Sequence, residues 1–204
     1  NFKLNISKLI LYAVQCYKKS KAKQKFLSPD FTRNISKKII TFIIERYENL
    51  IKEKKSLNIN LFQSLKIDVM NLKLLEIDNK IIYLNKFFKS ESGLNLLNAI
   101  KRVNNIISDN QYDKKLEPNT KLFETKEELK LYTEAKKHNI ENESDYKGLM
   151  ERLLFLVGPI ENFFDKVQIH HQNKILRKNR LLLLLFVNIR VNKSISFLNL
   201  IKRN

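Results

Sequence analysis

Glycine and proline are nearly missing: three of each occur in 204 residues, and tryptophan does not occur at all. Hairpins, βαβ crossovers and barrels rely on those residues for their turns, so the scarcity excludes them and points to an all-α chain. Cys16 is the single cysteine. It cannot close an internal disulfide, which agrees with a reducing compartment, and beside Tyr12, Ala13 and Tyr17 it reads as a small core hydrophobe. The longest apolar run, Leu181 to Val187, has seven residues and ends at Asn188 and Arg190. A bilayer needs about 20, so no membrane span is expected. The start, Asn1-Phe2-Lys3, has neither an initiator methionine nor a signal-peptide pattern, and is expected to lie inside a longer chain.

Catalytic patterns are missing too. No glycine-rich phosphate cradle, Ser-His-Asp or Cys-His pairing or paired-carboxylate arrangement is present, so no reaction centre is expected here. His170 and His171 are adjacent and point apart, with no cysteine or carboxylate set to complete a metal site. Glu127, Glu128 and the acids of 141–145 read as solvated faces.

What is abundant is positive charge. The formal net charge is +18, from 39 Lys and Arg against 21 Asp and Glu. Lysine, asparagine and isoleucine are all conspicuous, a trio that compositional drift produces unaided, so the total is weak evidence for a polyanionic partner. Its distribution says more. Residues 1–40 carry ten basic groups against Asp30 alone, residues 113–161 carry nine basic against eleven acidic, and no acid follows Asp165. The charge therefore gathers at the two ends, as expected of a surface that meets a polyanion.

Helical periodicity recurs along the chain. Ile6, Leu9, Ile10, Ala13, Val14 and Tyr17 form a first stripe, with a basic stretch after it from Lys18 to Lys25. Ser28-Pro29-Asp30 marks a helix start, after which Ile35, Ile39, Phe42, Ile43, Tyr47, Leu50 and Ile51 form a second stripe. Residues 58–67 are a short helix or turn. Leu74, Ile77, Ile81, Leu84 and Phe88 follow, broken near Ser90–Gly93. In the helix from Leu94 to Ile107, Leu97, Ile100, Val103, Asn104 and Ile107 share a face, leaving Lys101, Arg102 and Asn105 outside it. A polar linker is expected over 108–121, helices over 122–137 and 145–157, a break at Gly158-Pro159 before a short helix over 160–167, and a long helix over 173–190. A short terminal piece covers 194–201. Two parts are expected, a helical segment over 1–75 and a helical domain over 76–204.

Three blocks carry a resemblance. They are Lys101-Arg102-Val103-Asn104-Asn105-Ile106, then Pro159-Ile160-Glu161-Asn162-Phe163-Phe164-Asp165-Lys166-Val167, then Arg177-Lys178-Asn179-Arg180-Leu181-Leu182-Leu183. In this order and spacing they resemble the β subunit of bacterial heterotetrameric glycyl-tRNA synthetases, with Phe42-Ile43-Ile44-Glu45-Arg46 similar to a segment upstream. The resemblance implies an all-helical anticodon-binding domain, like that of arginyl-tRNA synthetases, over 76–204, with 1–75 ending the preceding β-subunit body. It also implies that tRNA(Gly) and an α subunit in an α2β2 complex are partners, in the cytoplasm, without DNA or membrane. The α subunit would hold the catalytic core and use ATP and Mg, leaving no cofactor in this chain. Departures occur at Gln168, His170, His171, Gln172, Asn173, Lys174, Lys193 and Ser194, which leaves the local loop geometry open.

Anticodon reading needs donors and acceptors facing unstacked bases, and cations on phosphates. Glycine anticodons end in two cytosines, whose amines donate and whose N3 and O2 accept. Arg177, Lys178, Asn179 and Arg180 supply donors near one helix start, and Asp165 an acceptor with Lys166 beside it. Lys101 and Arg102 suit phosphates, with Asn105 on the same open face. Structural readings compete: Asp165 as a cap or as the partner of Arg180, Arg180 as a buried arginine, Asn104 bonded to backbone, Phe163 and Phe164 as core. For the whole chain, the alternatives are a helical protein-interaction scaffold with non-specific RNA affinity and the anticodon-binding domain of an arginyl-tRNA synthetase.

Overall fold

The computed structural model describes residues 4–20, 29–53, 57–108, 117–137, 146–193 and 195–201, the side chains of 18–20, 29, 31 and 32 excepted. The described residues form ten α-helices and no strand. Two compact units divide the chain, Asn1–Asn85 and Lys86–Asn204. That division falls ten residues beyond the 75/76 boundary expected above.

The first unit holds α1 (Ile6–Ser20), α2 (Pro29–Glu53), α3 (Ile59–Ser64) and most of α4 (Leu74–Phe87). A 3-10 turn at Val69–Asn71 is tied to α1 by Ser7, whose fully buried hydroxyl donates to the Val69 carbonyl (2.8 Å) and accepts from the Leu72 amide (3.0 Å). Here the helical periods are right but two phases are not. In α2 the buried seam is Ser36, Ile40 and Ile51, while Ile39, Phe42 and Leu50 are exposed. A shift of one residue rotates a helix by 100°, enough to exchange seam for surface. In α1, Leu9, Tyr12 and Tyr17 are exposed. Cys16 is exposed as well, not core, because it lies one turn beyond Tyr12 on the same outward side. The basic stretch 21–25 lies outside the described residues.

The second unit contains α5 (Glu91–Ile107), α6 (Lys126–Lys137), α7 (Tyr146–Leu154), α8 (Val157–Lys166), α9 (Lys174–Val191) and α10 (Phe197–Ile201). α9 is its axis. Leu181 to Val187 are all buried, with Leu183 and Leu184 at 0% exposure, as expected of a helix that is apolar all round and enclosed by neighbours. α5 and α6 pack on it, and α8 packs on both α5 and α6. Ser90 caps α5 by accepting from the Gly93 amide (3.2 Å), so the helix starts before Gly93 rather than after it. Glycine is required there: a Cβ would sit 2.1 Å from the Phe87 carbonyl oxygen. Pro159 does not end a helix either. It lies in the first turn of α8, where its missing N–H costs nothing. The break comes earlier, at Phe155 and Leu156. Most of the expected 108–121 linker lies outside the described residues, as do the acids of 141–145. No described helix is long and apolar enough to cross a membrane.

Candidate RNA-binding site

The site is organised by a buried arginine. Arg180, 3% exposed, donates from Nε to Glu128 Oε1 (2.9 Å), from Nη2 to Glu124 Oε2 (2.8 Å) and from Nη1 to the Gln168 carbonyl (3.0 Å). Those bonds gather the start of α6, the α8–α9 loop and the first turns of α9 at one end of the unit. Arg180 is therefore a structural group and is not available to RNA. The apolar run that follows it in α9 carries it inward. Its partner is Glu128 rather than Asp165.

Glu128 is fully buried, not solvated. Its Oε2 accepts from the Thr125 amide (2.9 Å), the Thr125 hydroxyl (3.0 Å) and the Glu124 amide (2.9 Å), while Thr125 Oγ1 accepts from the Glu128 amide (3.3 Å). This is a capping box, which the Thr-x-x-Glu spacing of 125–128 encodes. Burial alone would push the Glu128 carboxyl upward, but the bonds from Arg180, Thr125 and Glu124 outweigh it and hold the group below the usual carboxylate range.

Asn179 is also inside, at 4% exposure. Its Oδ1 accepts from the Asn119 amide (2.8 Å) and its Nδ2 donates to the Asn119 carbonyl (3.0 Å). It fixes the 3-10 turn Thr120–Leu122 against α9, and its amide is spent on that backbone rather than facing RNA. Between turn and helix runs a groove of about 450 Å3, edged by Glu117, Lys174 and Lys178 with Ile175 and Leu122 on its apolar side. Arg177 and Lys178 are exposed, as is Ile175 at 64%. Asn173 caps this helix start, accepting from the Ile175 amide (2.9 Å), and the Asn173 amide in turn donates to His171 Nδ1 (3.1 Å). The first turn and a half of α9 thus offers cations beside an apolar strip, at a helix end that favours anions.

The remaining expected residues lie elsewhere. Lys101, Arg102 and Asn105 are exposed on α5, and the Arg102 guanidinium sits 4.4 Å from the centre of the Phe164 ring of α8. Phe163 is fully buried, whereas Phe164 is half-buried and supports that arginine. Asp165 is exposed; Lys166 is exposed and paired with Glu127 (3.3 Å). Hydrogen bonding to its own backbone N–H and the ammonium of Lys166 hold the Glu127 carboxyl below its usual range. Asn104, buried, bonds to the Asn188 side chain rather than to backbone, and its Nδ2 has no partner. Among the described residues no group of three or more His, Cys, Asp or Glu could hold a metal ion. Sequence reasoning passed over Ile175 and the α9 groove, because its other wall, 117–122, meets α9 only through a contact spanning some 60 residues.

A helical unit with basic groups beside an apolar groove at one helix start has the chemistry that suits a nucleic acid. Residues 96–201 match the DALR anticodon binding domain, and the chain belongs to that family. It is also similar to the glycine–tRNA ligase β subunit of Buchnera aphidicola subsp. Schizaphis graminum, 36% identical over 74% of this chain and 22% of that protein. Similar proteins of the same name occur in Rickettsia bellii, 31% identical over 89% of this chain and 24% of that protein, and in Rickettsia canadensis, 31% identical over 89% and 26%. The chain thus spans about a quarter of the length of the curated relatives it matches.

Proposed function

We propose that this chain is the tRNA-reading part of a glycine–tRNA ligase β subunit, in which the second unit grips the anticodon loop of tRNA(Gly). The α9 groove carries this reading. Lys174 and Lys178 take backbone phosphates, a splayed base rests on Ile175 and Leu122, and Arg177 donates to a base edge. Lys101, Arg102 and Asn105 offer a second basic surface for the flanking strand, with Asp165 as an acceptor. Arg180 and Asn179 act beneath the surface, holding the helix ends that present these groups. Attachment of glycine takes place elsewhere, on an α subunit that uses ATP and Mg in an α2β2 assembly of the cytoplasm; this chain contributes by placing the acceptor end.

The test is binding of the full chain to unmodified tRNA transcripts by fluorescence anisotropy at fixed salt. Glycine tRNA should bind at least about tenfold tighter than the same transcript with both anticodon cytosines changed, since each mismatched base contact is worth about 1–3 kcal/mol. Arg177→Ala should cost more on the glycine transcript than on the altered one. Equal affinity for both transcripts would refute anticodon reading and leave the scaffold alternative. Leu9, Tyr12 and Phe42, exposed on α1 and α2, favour a protein contact for the first unit in either case.

A further inference from the structure

α6 and α8 pack side by side and leave a groove of about 500 Å3 that none of the residues assigned above explains, apart from Lys166 at its edge. Lys126 and Lys130 rise along one wall, an i,i+4 pair separated by about 6 Å along the helix axis. Lys166 faces them from α8. The floor is Leu129, 51% exposed, with Pro159 beyond it. Glu127, tethered by Lys166 at 3.3 Å, presents a carboxylate to the groove. Asn162 spends its Nδ2 on the Gly158 carbonyl (2.8 Å), so Oδ1 is the atom it offers.

Each feature narrows the occupant. The volume suits a small molecule or one residue of a polymer. A docking helix, about 10–12 Å across, needs a longer trough. Lys126 and Lys130 on the rim select an anion, Lys166 being paired with Glu127, and an apolar floor selects one with a flat uncharged face. Two acceptors inside select a donor on its edge.

We propose that this groove seats a single unstacked nucleotide of a bound RNA strand. Its base lies on Leu129, its phosphates meet Lys126 and Lys130, and its exocyclic amine is accepted by Asn162 and by Glu127, which Lys166 holds in place. Cytosine and adenine carry such an amine beside a ring acceptor, whereas uracil would set a carbonyl against the Glu127 carboxylate. This rests on the reading that the chain binds RNA, and adds to the α9 groove a second position on the strand. Both grooves flank the end of the unit that Arg180 ties together.

The experiment uses the full chain and two labelled seven-residue RNAs, one all cytidine and one all uridine, titrated by anisotropy over a range of salt. Lys126→Ala/Lys130→Ala is compared with Lys136→Ala/Lys137→Ala, which removes the same charge from the same helix outside the groove. The groove pair should weaken cytidine binding about tenfold and flatten the plot of log K against log salt by about 1.4, two phosphates at about 0.7 each. The control pair should lose less than half as much. Glu127→Gln should reduce the cytidine preference at least threefold without abolishing binding, by the loss of a charged acceptor. Equal losses from groove and control pairs overturn the site, as does an unchanged preference in Glu127→Gln. If Arg177→Ala/Lys178→Ala weakens binding while the groove pair does not, RNA binding stands and the groove proposal alone fails. If the unaltered chain binds glycine tRNA but neither heptamer, the groove proposal alone fails; if it binds no RNA at all, the broader reading fails with it.

Discussion

Replacing Arg180 by methionine keeps the aliphatic stem and removes the guanidinium, and the bonds around it set the size of the effect. Glu128 Oε1 loses its one partner inside a fully buried site, and the Gln168 carbonyl loses its donor. Breaking one side of a buried ion pair costs about 3–5 kcal/mol. Two features pull the figure to the lower end. Glu128 Oε2 keeps three donors from 124 and 125, and the Glu124 side chain, 52% exposed, is re-solvated when it is released. We expect about 3 kcal/mol, measured by urea unfolding followed by far-UV circular dichroism, since tryptophan is absent. Hydrogen exchange of α6 and α9 should place the loss in the second unit. The pH dependence is a further check. With Arg180 present the folded Glu128 carboxyl lies below its unfolded value, so its contribution is present above about pH 4.3 and fades as pH falls through the folded pKa. Without the guanidinium part of that lowering is lost, so the variant gives up less stability as the carboxyl protonates. The gap between the two proteins should be widest near neutrality and narrow below about pH 4. Double replacement of Arg180 and Glu128 by methionine should cost less than the two single changes added, by about 2 kcal/mol. A cost for Arg180→Met under about 1 kcal/mol, or strict additivity, would refute the buried-pair account.

Gly93→Ala should destabilise by about 1–3 kcal/mol in thermal or urea unfolding, although alanine normally favours a helix over glycine. The added Cβ would meet the Phe87 carbonyl oxygen at 2.1 Å, and backbone cannot swing aside as a side chain can; an unchanged or raised stability would show that the turn relaxes freely. Asn179→Ala leaves both the amide and the carbonyl of Asn119 without their partner. It should cost about 1–3 kcal/mol and weaken RNA binding through a displaced 3-10 turn, with Asn179→Asp restoring only the bond to the amide. Full affinity in Asn179→Ala would show that the α9 groove does not depend on that clamp.

Helical class was legible from composition, since a chain with so few turn residues has few ways to fold other than as helices. The long helix over 173–190 and its neighbours followed from the helical period, which is a local property of the chain. Family resemblance was legible too, because its blocks are short and contiguous. Phase on α1 and α2 was not, since a stripe with surplus apolar residues can face inward in more than one rotation. Glu128 reads as a solvated acid when taken by itself, whereas with Thr125 three residues before it the pair spells the capping box that buries it.

Sequence alone determined that this would be a helical, basic chain whose acid-free end follows Asp165, because composition, period and charge order are properties of neighbours along the chain. Only tertiary structure decided which cations stay outside. Arg177 and Arg180 are three residues apart on one helix, yet one reaches solvent and the other is enclosed by Glu124, Glu128 and Gln168. That difference comes from groups more than ten residues away, brought close by packing, and no local pattern records it.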